Sequence, residues 1–294
     1  MDGIFNIHKR TGMTSHDVVA TLRRLLQQKR VGHAGTLDPA ASGVLPICVG
    51  QATRVAEYLS ESGKAYQATI VFGLQTDTYD AQGEVVRIAP TEHIQRADIE
   101  EALIHLRGQQ MQTPPRYSAI KLQGQAAYKR ARAGEEVVLA ARPVEITHLE
   151  IVHWQSPRLV VDVECSKGTY IRSLAHDLGQ TLACGAHLGG LVRTRSGPFG
   201  LQESLTLEEM ARAGEQGQFA RYLQPADCAL ARYPALHLDE AEAARVTCGN
   251  SFFCDIPQTT RELARVYDPA GKFIAIARWQ PAAGKWLPHK VFAQ

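Results

Sequence analysis

The sequence predicts a mixed α+β fold with a small β module at its C-terminal end, and three observations support this. Of the 294 residues, 45% are hydrophobic, which supplies a large core and excludes a disordered chain. Strand-like and helix-like runs alternate irregularly in the region 1–225, without the regular repeat of a doubly wound sheet. Beyond it, short strand candidates separated by Pro/Gly-rich turns predict an all-β module over 229–294.

The first helix is predicted over 15–29, where apolar residues recur at helical spacing. Thr14 and Asp17 before and within its first turn resemble a capping box. The next segment, 31–46, is predicted to be a loop because three glycines and two prolines interrupt its apolar residues. This loop leaves one carboxylate, that of Asp38, among small residues.

A second helix is predicted to begin at Thr169 and to end at Gly179, because its apolar residues follow the i, i+3, i+4, i+7 pattern. Arg172 then lies near the start of this helix and off its buried stripe. Alternating or continuous apolar runs predict the other elements, which are strands at 66–73, 159–165 and 273–279 and a helix at 94–106.

Several classes of site lack their usual sequence signatures. The six cysteines include no Cys-x-x-Cys pair, so neither a zinc site nor a disulfide framework is indicated. Cys48 and Cys165 lie in apolar runs and are predicted to be buried thiols. The chain also has no glycine-rich phosphate loop and no Gly-x-Ser-x-Gly elbow, which argues against nucleotide cofactors and serine hydrolases.

The net charge of +2 does not by itself indicate a nucleic-acid partner, but the charges are segregated along the chain. The segment 73–103 is acidic, whereas 116–142 has only two acids, Glu135 and Glu136. The six basic residues of the second segment are Arg116, Lys121, Lys129, Arg130, Arg132 and Arg142. This pattern predicts one basic face, which suits RNA and equally an ordinary solvated surface.

No run approaches the roughly 20 apolar residues that a membrane helix needs, and the first residues lack the pattern of a signal peptide. We therefore expect a cytoplasmic protein.

Asp38 is the strongest catalytic candidate that the residues themselves offer. A carboxylate on a glycine-flanked loop is accessible to a substrate and can act as a nucleophile or a base, and an arginine from elsewhere in the fold can keep it ionised. The alternative is structural, since Leu-Asp-Pro is also a common turn sequence.

Six segments, taken in order, resemble the bacterial tRNA pseudouridine-55 synthase (TruB) family, and the resemblance covers essentially the whole chain. They are His8-Lys9-x-x-Gly12-x-Thr14-Ser15, Gly32-His33-x-Gly35-Thr36-Leu37-Asp38-Pro39-x-Ala41-x-Gly43, Lys64-x-Tyr66, Thr76-Asp77-x-x-Asp80-x-x-Gly83, Gly168-Thr169-Tyr170-Ile171-Arg172-Ser173-Leu174 and Gly185-x-His187-x-x-x-Leu191-x-Arg193-Thr194. Arg10 departs from the pattern, because the family often has proline after the lysine.

The resemblance implies a pseudouridine synthase catalytic domain over 1–225 and a small PUA-like domain over 229–294. The implied reaction isomerises a uridine in the T-arm of tRNA: the N1–C1′ bond breaks, the uracil turns, and C5 bonds to C1′. The base must first be flipped out of its stack. Neither a cofactor nor a metal is required.

The implied catalytic residues are Asp38, Arg172 and Tyr66. Asp38 would attack C1′, attack C6 or take a sugar proton, and these three alternatives stay open. Arg172 would pair with Asp38 and keep it ionised. Tyr66 would stack on the flipped base and help to remove the C5 proton.

The resemblance also implies five substrate-binding residues. Leu191 would form an apolar wall of the uracil pocket, and His33 would fill the space that the flipped base leaves. Lys9 and Lys64 would support active-site loops or contact phosphate, and Asp80 would anchor the substrate or a neighbouring loop.

The implied partner is tRNA. A basic insertion around 110–145 would clamp it through phosphate contacts, and the PUA-like domain would contact its acceptor end. We expect a monomer that needs no protein partner. Two alternatives stay open: an RNA chaperone without catalytic activity, and a guide-RNA-dependent subunit of a larger particle.

Overall fold

The computed structural model of the chain describes residues 1–118, 120–122, 125–127, 130, 133, 135, 137–254 and 262–292. In these residues the strands are β1 (Gly3–Lys9), β2 (Val31–His33), β3 (Ser42–Val49), β4 (Lys64–Phe72), β5 (Leu74–Thr76), β6 (Val85–Ile88), β7 (Gly108–Gln112), β8 (Lys121–Leu122), β9 (Gln125–Ala126), β10 (Arg142–Gln155), β11 (Arg158–Cys165), β12 (Ala186–Ser196), β13 (Phe199–Gly200), β14 (Ala235–His237), β15 (Leu263–Tyr267), β16 (Phe273–Gln280) and β17 (Lys285–Val291).

The α-helices in the same residues are α1 (Ser15–Leu25), α2 (Ala56–Ser60), α3 (Arg96–His105), α4 (Ile171–Thr181), α5 (Leu207–Glu215), α6 (Phe219–Tyr222) and α7 (Glu240–Thr247). Short 3₁₀ helices lie at Gly50–Val55, Ala226–Leu230 and Pro281–Ala283. No helix in the described part of the chain is long and apolar enough to span a membrane.

The larger sheet runs in the order β1-β3-β12-β4-β11-β10-β7, with β2 paired to β3 and β13 paired to β12. Its pairings are antiparallel except that β3 and β12 run parallel where Ser42 faces Val192 and Gly43 faces Arg193. Helices α3 and α4 pack on the β4, β10, β11 and β12 region, whereas α1 and α5 pack on β1 and β3. The mixed α+β body is therefore confirmed.

Part of the predicted loop 31–46 is β structure, because β2 and most of β3 lie within it. The reason is that β3 is buried on both faces: Leu45 and Ile47 belong to the core under α1, whereas Val44 and Cys48 belong to the core shared with the C-terminal module. A strand buried on both sides shows no alternation of apolar and polar residues. The true loop is 34–41.

The helix predictions are correct in position and differ in detail at their ends. Thr14 and Asp17 form the predicted capping box of α1, which ends at Leu25 rather than at residue 29. Helix α4 continues past Gly179 to Thr181, because Gly179 lies inside the helix where it packs on the Ala186 backbone. A side chain there would collide with that backbone, so this glycine serves close packing rather than termination.

The C-terminal module is a four-stranded sheet, β14-β15-β16-β17, with helix α7 packed against it. The sequence did not predict α7. One face of the sheet has a core of its own, and Ile276 with Phe292 joins a second cluster that includes Val44 and Cys48 of the large sheet. The division into 1–225 and 229–294 stays a prediction, since the two parts share this apolar contact.

The two thiols predicted to be buried, Cys48 and Cys165, are buried and free. Burial raises the pKa of Cys48 to about 12 and that of Cys165 to about 11. Both therefore stay protonated at neutral pH and do not act as nucleophiles.

Gly43 lies in β3 where the backbones of β3 and β12 approach each other closely, and its φ is +105°. A Cβ there would overlap the backbone of Arg193. We expect Gly43→Ala to reduce the free energy of unfolding by the left-handed backbone cost of about 1–2 kcal/mol and by a further overpacking cost of about 1–3 kcal/mol. Gly217→Ala is the matched control, because Gly217 has a φ of +66° and nothing near its missing side chain. Equal losses in urea unfolding would contradict the steric account.

Candidate active site

Asp38 lies in the loop 34–41 that connects β2 to β3, which we name the aspartate loop. Its carboxylate is about half exposed (49%), so a substrate can reach it. The guanidinium of Arg172 lies beside it, with Nη2 3.0 Å from Oδ2 of Asp38. A carboxylate paired with a fixed cation favours its ionised form. The predicted Asp38–Arg172 pair is therefore present in the structure.

Arg172 is buried, with only 9% of its side chain exposed, although the helical pattern placed it off the buried stripe. It lies in the first turn of α4, as predicted. Its Nη1 is 3.4 Å from Oδ2 of Asp80, and its Nη2 donates to the carbonyl of Tyr117 at 3.1 Å. The pattern failed because the partners that allow this cation to be buried come from distant segments.

Asp80 is oriented by its own turn before it reaches Arg172. Its Oδ1 accepts hydrogen bonds from the Thr78 hydroxyl at 2.7 Å and from the Gln82 amide at 3.0 Å, which leaves Oδ2 for the arginine. The turn itself is joined to β12 by a bridge between Asp80 and Leu188. Asp80 therefore anchors the arginine and its own turn to the sheet.

The start of α4 is held by Gln112, a buried residue at the end of β7. Its Oε1 accepts from the Tyr170 amide at 2.8 Å, and its Nε2 donates to the Tyr170 carbonyl at 3.1 Å. These two bonds fix the backbone two residues before Arg172. Sequence analysis missed Gln112, because a glutamine in a short strand carries no local signal of this role.

Tyr66 on β4 and Leu191 on β12 lie on neighbouring strands and are both partly buried. Each packs against both the core under α4 and the core under α1. Burial raises the pKa of Tyr66, and the nearby charge of Arg193 acts in the opposite direction. The phenol is therefore protonated at neutral pH. An aromatic ring and an aliphatic side chain placed together here can line a pocket for a planar base.

Two family models match consecutive parts of the chain. One, described as the TruB family pseudouridylate synthase N terminal domain, matches residues 23–171. The other, described as the tRNA pseudouridylate synthase B C-terminal domain, matches residues 172–231. The first match alone spans just over half of the chain. The chain belongs to the TruB family. It is therefore an enzyme, a pseudouridine synthase, as the resemblance implied.

Individual TruB relatives match along the full length. A Dehalococcoides mccartyi protein named tRNA pseudouridine synthase B is 43% identical over 293 residues, which are 99% of this chain and 97% of that protein. The Bacillus subtilis protein of the same name is 40% identical over 306 residues, covering 100% of this chain and 98% of the relative.

Solved structures show the same fold. A chain of a Cbf5-Nop10-Gar1 complex matches with a TM-score of 0.75 and 27% identity, over 99% of this chain and 84% of that one. A chain from an H/ACA RNP bound to a substrate RNA containing 2′-deoxyuridine matches with a TM-score of 0.75 and 25% identity, over 99% and 85%. The predicted pseudouridine synthase fold is confirmed.

His33 ends strand β2, five residues before the TruB-family candidate Asp38, and is half-buried. Burial lowers its pKa, and the positive charges of His16 and Arg193 lower it further. The imidazole is therefore neutral at pH 7. Its Nδ1 is buried and has no hydrogen-bond partner in the described residues.

Lys9 and Lys64 are buried, and each ammonium group donates to backbone carbonyls. Lys9 Nζ bonds the carbonyls of Met13 at 2.8 Å and Arg10 at 3.0 Å, and lies 3.4 Å from that of Pro39 in the aspartate loop. Burial lowers the pKa of both lysines to about 8. Of the two roles that the TruB resemblance implies, the geometry provides loop support, because phosphate contact requires an accessible ammonium group.

Lys64 supports the chain before β4 in the same way. Its Nζ bonds the carbonyls of Ser60 at 2.7 Å and Ser62 at 2.5 Å. These bonds tie the end of α2 to the strand that carries Tyr66.

The basic segment predicted for RNA clamping is only partly described. Arg116 and Arg142 are exposed, whereas Arg130 pairs with Glu135 at 2.6 Å. The side chain of Lys121 is not described, and the remaining charged members of the segment, Lys129, Arg132 and Glu136, lie outside the described residues. Two arginines of this segment, Arg116 and Arg142, are therefore exposed at the protein surface.

No group of three or more metal-ligating side chains lies together in the described ranges. Around Asp38 the structure instead brings together two carboxylates, those of Asp38 and Asp80, and the guanidinium of Arg172. This arrangement suits proton transfer or nucleophilic chemistry.

Arg172→Lys keeps the charge but loses the planar group that reaches Asp38, Asp80 and the Tyr117 carbonyl together. We expect turnover to fall at least about 10²-fold, with RNA affinity changed by less than about threefold. Arg96→Lys, which alters an exposed arginine paired with Glu100, is the control and should behave as wild type. Weak RNA binding combined with normal single-turnover chemistry would instead make Arg172 a phosphate contact.

The buried His33 also predicts a pH dependence of stability. Its folded-state pKa lies below the ordinary value of 6.5, so the unfolded chain binds this proton first as the pH falls. The titration of His33 therefore does not change the free energy of unfolding above pH 6.5, and it lowers the free energy of unfolding as the pH falls below that value. Between pH 7 and 5, His33→Asn should lose less stability in urea unfolding than wild type, whereas the exposed His93→Asn should match wild type. Parallel curves for all three proteins would exclude this assignment.

Proposed function

We propose that this chain converts a uridine in the T-arm of tRNA, at position 55, to pseudouridine. The observation that carries the proposal is the exposed Asp38 carboxylate, which is paired with a buried arginine and interacts electrostatically with Tyr66, in a TruB-family chain. The tRNA substrate rests on the relatives, which are named tRNA pseudouridine synthase B at up to 52% identity.

The reaction is an isomerisation, so its atoms balance without a donor. The N1–C1′ bond breaks, the uracil rotates, C5 bonds to C1′, and the proton on C5 is lost while N1 gains one. Asp38 initiates this exchange by attack on C1′, by attack on C6 or by taking a sugar proton, and the geometry is compatible with each. Arg172 keeps the carboxylate ionised and oriented.

The target uridine must leave its stack, which costs a few kcal/mol. In this proposal the flipped base lies between Tyr66 and the aliphatic wall at Leu191, and His33 occupies the vacated space in the RNA. The partly buried ring of Tyr66 supplies stacking, and its hydroxyl is available for removal of the C5 proton. Asp80 acts on the substrate indirectly, through Arg172.

Contacts outside the pocket give the protein its affinity for RNA and fix the position of the RNA on its surface. Arg116 is exposed and directly precedes Tyr117, whose carbonyl binds Arg172, and Arg142 is exposed at the start of β10, so both are available for phosphate contacts. The C-terminal sheet is joined to the body by an apolar cluster, which sets it in a fixed position to contact the acceptor end. We propose a monomer that acts without a protein partner.

A guide-RNA-dependent role is the second candidate, because one solved structure with this fold is a chain of an H/ACA RNP and another is a chain of a Cbf5-Nop10-Gar1 complex. Those chains share 25–27% identity with this one, whereas the relatives named as tRNA enzymes share 40–52%. The higher identity favours a stand-alone enzyme. A requirement for added guide RNA and proteins would support the second candidate.

The decisive experiment incubates the purified chain with an unmodified tRNA transcript and maps pseudouridine at nucleotide resolution. We expect product at the T-arm uridine without added protein or guide RNA. A short T-arm stem-loop should also be modified, since it contains the target. No product in either RNA would refute the proposed function.

Asp38→Asn removes the charge and keeps the shape, so the rate should fall at least about 10⁴-fold, while tRNA affinity changes by less than about threefold. Asp162→Asn is the matched control, because Asp162 bonds Gln67, which points to the opposite sheet face from Tyr66. A rate within about tenfold of wild type for Asp38→Asn would show that Asp38 is not the reacting group. An RNA chaperone would keep its function in this variant.

A further inference from the structure

The aspartate loop rests on two buried side chains that do not face the substrate, Ser15 and Arg193. Both stand in the motifs that resemble the family, yet neither was assigned a role. We propose that Ser15 and Arg193 are positioning residues that fix the loop backbone before Asp38, so that its carboxylate stays in reacting position. This inference rests on the proposed function, in which Asp38 drives the reaction.

Ser15 begins helix α1 and is 3% exposed. Its hydroxyl donates to the carbonyl of Leu37 at 3.0 Å and accepts from the amide of the same residue at 2.9 Å. One side chain therefore satisfies both backbone groups of the residue that directly precedes Asp38. This fixes the orientation of the peptide unit from which the catalytic side chain projects.

Arg193 on β12 is 1% exposed and binds the start of the same loop and the strand that follows it. Its Nη2 donates to the carbonyl of Gly35 at 2.9 Å and its Nη1 to that of Thr36 at 3.3 Å. Its Nε donates to the carbonyl of Val44 at 2.7 Å, beyond the loop. The planar guanidinium suits this set, because its donors diverge in fixed directions.

Arg193 also touches the second catalytic candidate. Tyr66 lies opposite it on β4, and the two side chains interact electrostatically. The same guanidinium thus relates the position of the tyrosine to that of the aspartate loop. A change in its shape should affect both sides of the pocket.

The burial of this cation argues for a specific role. No carboxylate of the described residues lies within ion-pair distance of Arg193, although burying an unpaired charge is strongly unfavourable. The compensation comes from the carbonyls of Gly35, Thr36 and Val44. Gly35, Thr36 and Leu37 are consecutive loop residues, and the carbonyl of Leu37 accepts from Ser15. Because the carbonyls of all three loop residues bind buried side chains, only the outer surface of the loop and the Asp38 side chain face the substrate in this proposal.

The far side of the loop is already held. The carbonyl of Pro39 accepts from the amide of Gly12 at 2.9 Å, and the amide of Ala41 donates to the carbonyl of Asp38 at 3.0 Å. The carboxylate is therefore flanked by fixed backbone in both directions. Displacement of a reacting group by about 1 Å can reduce a rate about 10²-fold.

The first test compares Ser15→Ala with Thr14→Ala. Ser15→Ala removes both bonds to Leu37, and we expect the single-turnover rate on bound tRNA to fall about 10- to 100-fold, with the dissociation constant within about threefold of wild type. Thr14 caps the same helix and does not touch the loop, so its loss should lower stability yet leave the rate within about twofold. Equal rates in Ser15→Ala and wild type would overturn the proposal.

The second test compares Arg193→Lys with Arg195→Lys on the same strand. An ammonium group cannot span the three carbonyls, so we expect the rate of Arg193→Lys to fall about 10²-fold. Arg195 is partly exposed, pairs with Glu164, and serves as the control. If Arg193→Lys does not fold, Ser15→Ala and the exchange measurement below decide the question.

Hydrogen exchange separates this proposal from a general loss of stability and from the proposed function. Amides of 34–42 should exchange about tenfold faster in Ser15→Ala and in Arg193→Lys than in wild type, whereas those of β10 and β11 should not change. Faster exchange throughout the sheet, or an equal rate loss in Thr14→Ala, would show a merely structural role. If wild type modifies no tRNA, the proposed function fails, while the exchange pattern still tests whether these residues fix the loop.

Discussion

The site depends on one buried guanidinium. Arg172 is almost fully enclosed and contacts two carboxylates and a carbonyl, which come from the aspartate loop, the turn at Asp80 and the segment at Tyr117. A cation can be buried only when its charge and its donors are satisfied, so each of these segments must be in place for the others to fold correctly. The contact that orients Asp38 is thus also the contact that assembles the site.

A second set of buried cations supports the site without touching carboxylates. Lys9, Lys64 and Arg193 donate to backbone carbonyls of loops and strand ends. Such bonds fix backbone that has no strand or helix partner, because loop carbonyls would otherwise be buried without a donor. The two kinds of buried cation therefore have different roles. Arg172 provides the charge that pairs with Asp38, whereas Lys9, Lys64 and Arg193 fix the position of the backbone. Asp38 can therefore be exposed and still be rigidly placed.

The parallel contact between β3 and β12 links the two parts of this arrangement. Gly43 lets the strands approach where Arg193 begins its contacts with the loop, and Leu191 lies on the same strand two residues earlier. The other face of β3 packs against the cluster shared with the C-terminal sheet. The core that includes Tyr66 and Leu191 and the cluster shared with the C-terminal module consequently pack on opposite faces of one strand.

Local sequence determined much of this protein. The capping box of α1, the amphipathic helix α4, the alternating strands and the Asp38 loop follow from periodicity and backbone preference, which depend on neighbouring residues. The TruB-like motifs also indicated the Asp38–Arg172 pair. Only the tertiary structure decided that Arg172 is buried, that β3 is a strand enclosed on both faces, and that Gln112, Ser15 and Arg193 hold the site. The physical reason is that the burial and the hydrogen-bond partners of a side chain depend on distant segments that only folding brings together. Local sequence patterns therefore cannot predict them.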